Sequence, residues 1–264
     1  MGKKKSMPLI IAHRGASALA PENTFAAFQR AIDDGADGIE LDVRLAKDGV
    51  AVVFHDSTLN RTALKKGRLA NFTSLELGCL DVGSWFNSQT PKLADAAYKK
   101  EVVPSLAETL NFLKGFRGLI YIELKCKDSD AEGLTRAVCQ AISTSPLRAQ
   151  VVVKSFKLQV IPLIKSMCPG VRTAALFAPK IMNILRKEKH LVNIANEIGA
   201  DEISLHFTLA TSKLMKKAAK RNLRVTIWTA DSPRWIKRAL KLGLNAIITN
   251  DPARLLAKRQ ELLA

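Results

Sequence analysis

The sequence predicts an α/β fold, a TIM (β/α)8 barrel with a small insertion after the third strand, on three grounds. Its 264 residues match the roughly 250 that such a barrel typically needs. Short apolar runs alternate with longer amphipathic runs, as in successive βα units. Hydrophobic residues make up 47% of the chain, enough to bury one large core. We therefore interpret residues 1–264 as a single domain.

Nine apolar runs are candidate strands, one more than a closed barrel contains. They are residues 8–12, 37–43, 50–54, 119–124, 151–154, 171–176, 202–205, 224–228 and 246–249. The third run follows the second too closely for a crossover helix. Either one candidate is wrong, or residues 37–54 do not form two ordinary barrel strands. A doubly wound open sheet is the alternative, but no glycine-rich dinucleotide loop follows the first strand.

The regions between the strands carry helix signals, with one exception. Residues 22–34 have an apolar helical face, and Gly35 is placed to end that helix. Residues 57–103 lack a long periodic helix and contain polar turns, so we predict that they form the insertion. Ser105 and Glu108 then make a capping box at the start of the next helix.

Cellular location and cysteine chemistry are predicted from weaker signals. No apolar run reaches the roughly 18 residues of a membrane-spanning helix, and the first apolar run is too short for a signal peptide. We therefore predict a cytoplasmic protein. Cys79, Cys126, Cys139 and Cys168 are scattered without a CxxC pair, which favours inert core thiols over disulfides or zinc ligands.

The formal net charge of +17 is the unusual bulk feature. It is compatible with an anionic substrate, an anionic membrane surface or nucleic acid. The densest basic stretches, residues 213–224 and 234–241, have helical periodicity with charges on one side. We interpret them as solvated helix faces, with no specific nucleic acid partner and at most weak contact with an anionic membrane surface.

Acidic side chains recur near the ends of the candidate strands. Glu40 and Asp42 are two residues apart, so both carboxylates lie on one face of the second strand. Burying such a pair is costly unless a cation compensates, and a hard divalent ion suits oxygen ligands. Glu123 and Lys125 repeat the spacing on a later strand. Functional residues of α/β barrels gather at these strand ends, so these side chains are candidates for one site.

Two of the four histidines have the same setting. His13 follows the first strand and precedes Arg14, whereas His55 follows the third. Imidazole exchanges protons near neutral pH, so both are candidates for acid–base chemistry. His190 is interpreted as a helix-surface residue, and His206 follows a strand without an assigned role.

Several sequence blocks resemble the glycerophosphodiester phosphodiesterase family. The resemblance covers nearly the whole chain after residue 8, and its first part, residues 13–62, is highly specific. The blocks are HRGA, PENT, GAD, ELDVRLAKDG, VVFHD, LNRT, GSWF, VPSLAETL, IELK, SF, WTAD and IITNDP. Departures are small: Ala46 stands where the family usually has threonine, and Asn250 where aspartate is common.

The resemblance implies a TIM barrel with an inserted segment and assigns a role to each site residue. It implies a divalent cation, Mg²⁺ or Ca²⁺, held by three carboxylates, with two histidines as base and acid. It also implies two phosphate ligands and two aromatic residues at the glycerol end. The three carboxylates are those of Glu40, Asp42 and Glu123, and the two histidines are His13 and His55. The phosphate ligands are Arg14 and Lys125, and the aromatic residues are Phe156 and Trp228.

The function expected from this constellation is hydrolysis of glycerophosphodiesters to sn-glycerol 3-phosphate and an alcohol. The alternative is lysophospholipase D-type activity on membrane lysophospholipids. A polyanion-binding protein is a third reading, but the intact site residues argue against a protein without catalysis. The sequence does not specify the alcohol, the metal or the oligomeric state.

Overall fold

The computed structural model describes residues 6–181 and 188–264. Its strands match all nine predicted runs to within two residues at each end. They are β1 (Leu9–His13), β2 (Gly38–Leu45), β3 (Ala51–Val53), β4 (Leu119–Leu124), β5 (Val151–Ser155), β6 (Arg172–Phe177), β7 (Glu202–His206), β8 (Arg224–Trp228) and β9 (Ala246–Thr249).

Eight of the strands close into a parallel barrel. Their order is β1-β9-β8-β7-β6-β5-β4-β2, and β1 pairs with β2 to complete the ring. The ninth, β3, lies antiparallel on β2, with Val53 opposite Val43. Gly49, at φ +81°, lies in the turn between them. The surplus strand is therefore real, but it forms a hairpin outside the closed ring, and the predicted barrel is confirmed.

Ten α-helices occur in the described ranges. They are α1 (Phe25–Asp33), α2 (Ser74–Leu77), α3 (Ser84–Gln89), α4 (Leu106–Phe112), α5 (Ala131–Ser143), α6 (Val160–Met167), α7 (Glu188–Glu197), α8 (Ser212–Lys220), α9 (Arg234–Leu242) and α10 (Pro252–Glu261). α1 begins later than predicted, because the Thr24 side chain caps it by accepting from Ala27 N. The residues before it form a loop in which Asn23 has φ +58°.

The segment between β3 and α4 has its own small core. Short helices, including α2 and α3, surround a buried cluster that includes Leu59, Leu69, Leu77 and Val82. The chain returns beside β3, where Val53 N donates to Pro104 O at 2.8 Å. Ser105 and Glu108 then form the predicted capping box at α4. An insertion after the third strand is thus present.

The remaining predictions about bulk properties have mixed outcomes. All four cysteines are free, and Cys139 and Cys168 are buried as expected. Cys79 is exposed on the insertion, so the core assignment was wrong there. Within residues 6–181 and 188–264, no helix has the length and apolarity needed to cross a membrane.

Candidate active site

The barrel register brings the predicted residues together at the carboxyl ends of adjacent strands. His13 on β1 is level with Glu40 on β2. Asp42 on β2 is level with Glu123 on β4, which is level in turn with Lys154 on β5. Because the side chains of residues two apart point the same way, these groups converge inside the mouth.

Three carboxylates form the centre of the site. Glu40 and Asp42 are fully buried, and Glu123 is 5% exposed. Each offers an oxygen within 4.8 Å of the others. Buried anions gathered this closely are costly unless cations compensate, so this geometry fits a hard divalent cation with oxygen ligands.

The ammonium groups of two lysines balance part of the negative charge of these carboxylates. Lys125 Nζ lies 2.5 Å from Glu123 Oε1 and 3.4 Å from Asp42 Oδ1. Lys154 Nζ lies 2.8 Å from Glu40 Oε1 and 3.5 Å from Glu123 Oε2. Lys154 is only 1% exposed. The sequence predicts Lys154 only as the end of a strand, although a lysine that closes an apolar run at the barrel mouth indicates a site residue.

Arg14 connects two of the carboxylates with Glu22. Its backbone, at φ +55°, directs the amide N–H to Glu40 Oε2 at 3.1 Å. Its guanidinium lies 3.0 Å from Asp42 Oδ2 and donates to Glu22 Oε1 at 2.9 Å. Burial alone would raise the pKa of Asp42, but the charges of Lys125 and Arg14 outweigh it and hold that pKa well below its ordinary value.

Asn23 is a second site residue that the sequence patterns do not predict. Its Nδ2 donates to Asp42 Oδ2 at 3.0 Å, and its Oδ1 accepts from Asp42 N at 3.2 Å. The amide is buried, and its left-handed backbone aims it at β2. Asn23, which belongs to the PENT block, therefore fixes the orientation of Asp42.

His13 is oriented by a chain of hydrogen bonds from β9. Its Nδ1 lies 2.7 Å from Asn250 Oδ1, while Asn250 Nδ2 donates to Asp231 Oδ2 at 2.9 Å. Since the amide oxygen faces the ring, Nδ1 is the protonated nitrogen. In the neutral ring, Nε2 then faces the site with a free lone pair, 3.9 Å from Glu40 Oε2. Asn250 thus orients the ring of His13 through its side-chain amide.

His55 faces the site from the loop after β3. Its Nδ1 lies 2.6 Å from Asp56 Oδ1, and Arg61 Nε donates to Asp56 Oδ2 at 2.7 Å. Burial lowers the pKa of His55, and the charges of Arg14 and Lys125 act in the same direction. These outweigh the opposing influence of Asp42 and Asp56. A lowered pKa makes the protonated ring a stronger acid.

Aromatic rings form the opposite side of the mouth. The rings of Phe156 and Trp228 meet edge to face at 5.5 Å, and His206 meets Trp228 at 5.4 Å. Lys125 Nζ lies 5.8 Å from the Phe156 ring, which connects this rim to the carboxylates. Phe156 is 42% exposed. His206, unassigned from sequence, is therefore part of the mouth, whereas His190 lies on α7.

The chain is similar to known proteins over almost its whole length. The model of the glycerophosphoryl diester phosphodiesterase family matches residues 13–254. The chain belongs to this family. It is a phosphoric diester hydrolase, and the resemblance seen in the sequence motifs is confirmed.

Other glycerophosphodiester phosphodiesterases match almost end to end. One from Caldanaerobacter subterraneus is 32% identical over 250 residues, covering 94% of this chain and 96% of that protein. One from Bacillus altitudinis is 30% identical over 257 residues, covering 97% of this chain and 100% of that protein. A solved structure of a glycerophosphodiester phosphodiesterase from Agrobacterium tumefaciens has TM-score 0.77 and 28% identity. The match covers 95% of this chain and 100% of that one.

A more distant solved structure confirms the fold. An Oleispira antarctica phosphodiesterase, solved in complex with the product sn-glycerol-3-phosphate, has TM-score 0.84 and 23% identity. The match covers 96% of this chain and 97% of that one.

Proposed function

We propose that this glycerophosphodiester phosphodiesterase uses Mg²⁺ or Ca²⁺ to release sn-glycerol 3-phosphate and an alcohol from its substrates. The observation that carries the proposal is the buried triad of Glu40, Asp42 and Glu123, whose oxygens lie within 4.8 Å of one another near His13 and His55. The product bound in the Oleispira antarctica structure supports the choice of product.

A metal held by the three carboxylates would supply positive charge to stabilise the phosphoryl oxygens as negative charge develops. The protein contributes further positive charge of its own. Lys125 is 17% exposed at the mouth, and Arg14 is 16% exposed. Both side chains are placed to bind phosphate oxygens. Phe156 and Trp228 are placed to cover the glycerol end of the substrate.

The two histidines divide the proton transfers. His13, held by Asn250 with Nε2 unprotonated, accepts the proton of the attacking group, which is water or a neighbouring substrate hydroxyl. His55 donates a proton to the leaving alcohol oxygen. Asp56 holds the His55 ring by its other nitrogen.

No observation in the described residues favours the lysophospholipase D-type alternative. Cytoplasmic location and weak contact with an anionic membrane surface stay predictions. So does the treatment of residues 1–264 as one domain.

The proposal is tested by turnover of glycerophosphocholine with Mg²⁺ or Ca²⁺, and after chelation with EDTA. We expect turnover that requires the metal, with His13→Ala and His55→Ala each lowering kcat by roughly 10²–10⁴-fold because each removes one proton transfer. His190→Ala is the control and should retain full activity. Turnover that persists in EDTA, or full activity of both site variants, would overturn the proposal.

A further inference from the structure

A basic pocket lies beside the carboxylates on the insertion side of the mouth. Its volume is about 240 Å³, and Arg44, Arg68, Lys125 and Lys127 contribute to its lining. Arg44 comes from β2, Arg68 from the insertion and Lys127 from the loop after β4. Three separate parts of the chain therefore place cations around one space.

This pocket adjoins the proposed acid. Arg44 Nε donates to the backbone oxygen of His55 at 2.7 Å, and its Nη1 donates to that of Lys125 at 3.2 Å. Arg44 also follows Asp42 by two residues on β2, so its side chain lies on the same face, one step further out. The pocket thus opens between the loops that carry His55 and Lys125.

The charges around this pocket are not balanced. Among residues 6–181 and 188–264, neither Arg68 nor Lys127 has an acidic side chain in ion-pair contact. Asp130 is the one acidic lining residue, and it accepts the Lys127 backbone N–H at 2.5 Å. The pocket beside His13 differs, because its lining includes the carboxylates of Glu22, Asp231 and Asp251. Of these two spaces, the basic one suits a second anion.

We propose that the basic pocket binds a second phosphate carried by the alcohol of the substrate, and so favours glycerophosphodiesters that have one. The inference rests on the proposed function, in which His55 protonates the leaving oxygen and the alcohol therefore lies on its side of the site. Arginine offers paired donors that match phosphate oxygens, and Lys127 adds a mobile charge.

A matched pair of substrates tests the inference. Glycerophosphoglycerol and glycerophosphoglycerol phosphate differ only in the second phosphate. We expect kcat/KM to be roughly tenfold higher for the phosphorylated substrate, a modest factor because the ion pairs are partly exposed to solvent. The double variant Arg68→Gln, Lys127→Gln should bring the ratio close to one and leave turnover of the unphosphorylated substrate unchanged.

The control variant Lys213→Gln, Lys217→Gln removes the same charge from α8 and should keep the wild-type ratio. Equal kcat/KM for both substrates, or a ratio that both double variants lower alike, would overturn the inference while leaving the proposed function intact. Isothermal titration calorimetry of the two intact substrates in EDTA distinguishes failure of this inference from failure of the proposed function. Preferential binding of the phosphorylated compound without any turnover with metal would uphold the pocket and overturn the proposed function.

Discussion

The centre of the site depends on single charged residues in a buried setting. Three carboxylates with almost no solvent contact face three cations, Lys125, Lys154 and Arg14. Lys154 is the most deeply buried cation of these and bridges Glu40 and Glu123 from β5. Removing one partner of a buried ion pair leaves an uncompensated charge, which typically costs about 3–5 kcal/mol.

Replacing Lys154 should therefore strengthen the dependence on metal. We expect Lys154→Met to lower Tm in EDTA, because Glu40 loses its nearest cation, and to gain more Tm from Ca²⁺ than the wild type does. Differential scanning calorimetry with and without Ca²⁺ measures both effects. Lys165→Met, which breaks the part-exposed pair with Asp201, is the control. An equal Ca²⁺-induced increase in Tm for Lys154→Met and wild type would contradict the prediction.

His55 should make stability depend on pH. Its pKa in the folded protein is lowered, chiefly by burial, so the unfolded chain binds its proton more readily. Its contribution to stability is therefore fully present above the unfolded pKa of about 6.5 and is lost as pH falls through the lower folded pKa.

Urea unfolding in EDTA measures this contribution. Between a pH well above 6.5 and one well below it, the wild type should lose more free energy of unfolding than His55→Gln, which has no ionisable ring. An identical loss in both proteins would show that His55 is not the group responsible.

At the scale of elements, β2 determines how the site is assembled. It pairs with β1, β3 and β4 and supplies Glu40, Asp42 and Arg44 from one face. Its first residue, Gly38, lies where the strand is closely flanked. A Cβ there would come within 2.7 Å of Leu119 O and 2.6 Å of Ile11 Cδ1. Close packing at this strand start thus requires glycine.

Gly38→Ala should consequently destabilise the barrel. Forcing an extra methyl group into packed surroundings typically costs about 1–3 kcal/mol, so both Tm and the urea midpoint should fall. Gly115→Ala is the matched control, because a Cβ at that position meets nothing within 4 Å. Unfolding midpoints of the two variants provide the comparison, and equal values would show that β2 has room to move.

At the scale of the whole molecule, the net charge of +17 acts on every anionic substrate. The basic helices α8 and α9 have buried apolar faces, including Leu214, Ala218, Ile236 and Ala239. Their charges therefore lie on the outer side, in keeping with the solvated faces predicted. Such a field attracts anions at long range and is screened by salt.

We expect added NaCl to lower kcat/KM for glycerophosphodiesters while leaving kcat nearly constant, since screening weakens encounter and not the chemical step. Steady-state kinetics over a range of ionic strength test this expectation. Potassium and sodium chloride should give the same curve, which controls for specific ion binding. A kcat/KM that is independent of ionic strength would show that the net charge does not assist substrate capture.

The sequence by itself determined the strands, the residue types of the site and the family. Apolar periodicity and i, i+2 spacing are local properties, so they place Glu40 and Asp42 on one face of β2 without any knowledge of its neighbours. Only the tertiary structure decided that β3 lies outside the barrel, because closure depends on pairing between β1 and β2. It also revealed Lys154, Asn23 and Asn250 around the site, since their partners are distant in sequence and meet them only through strand register.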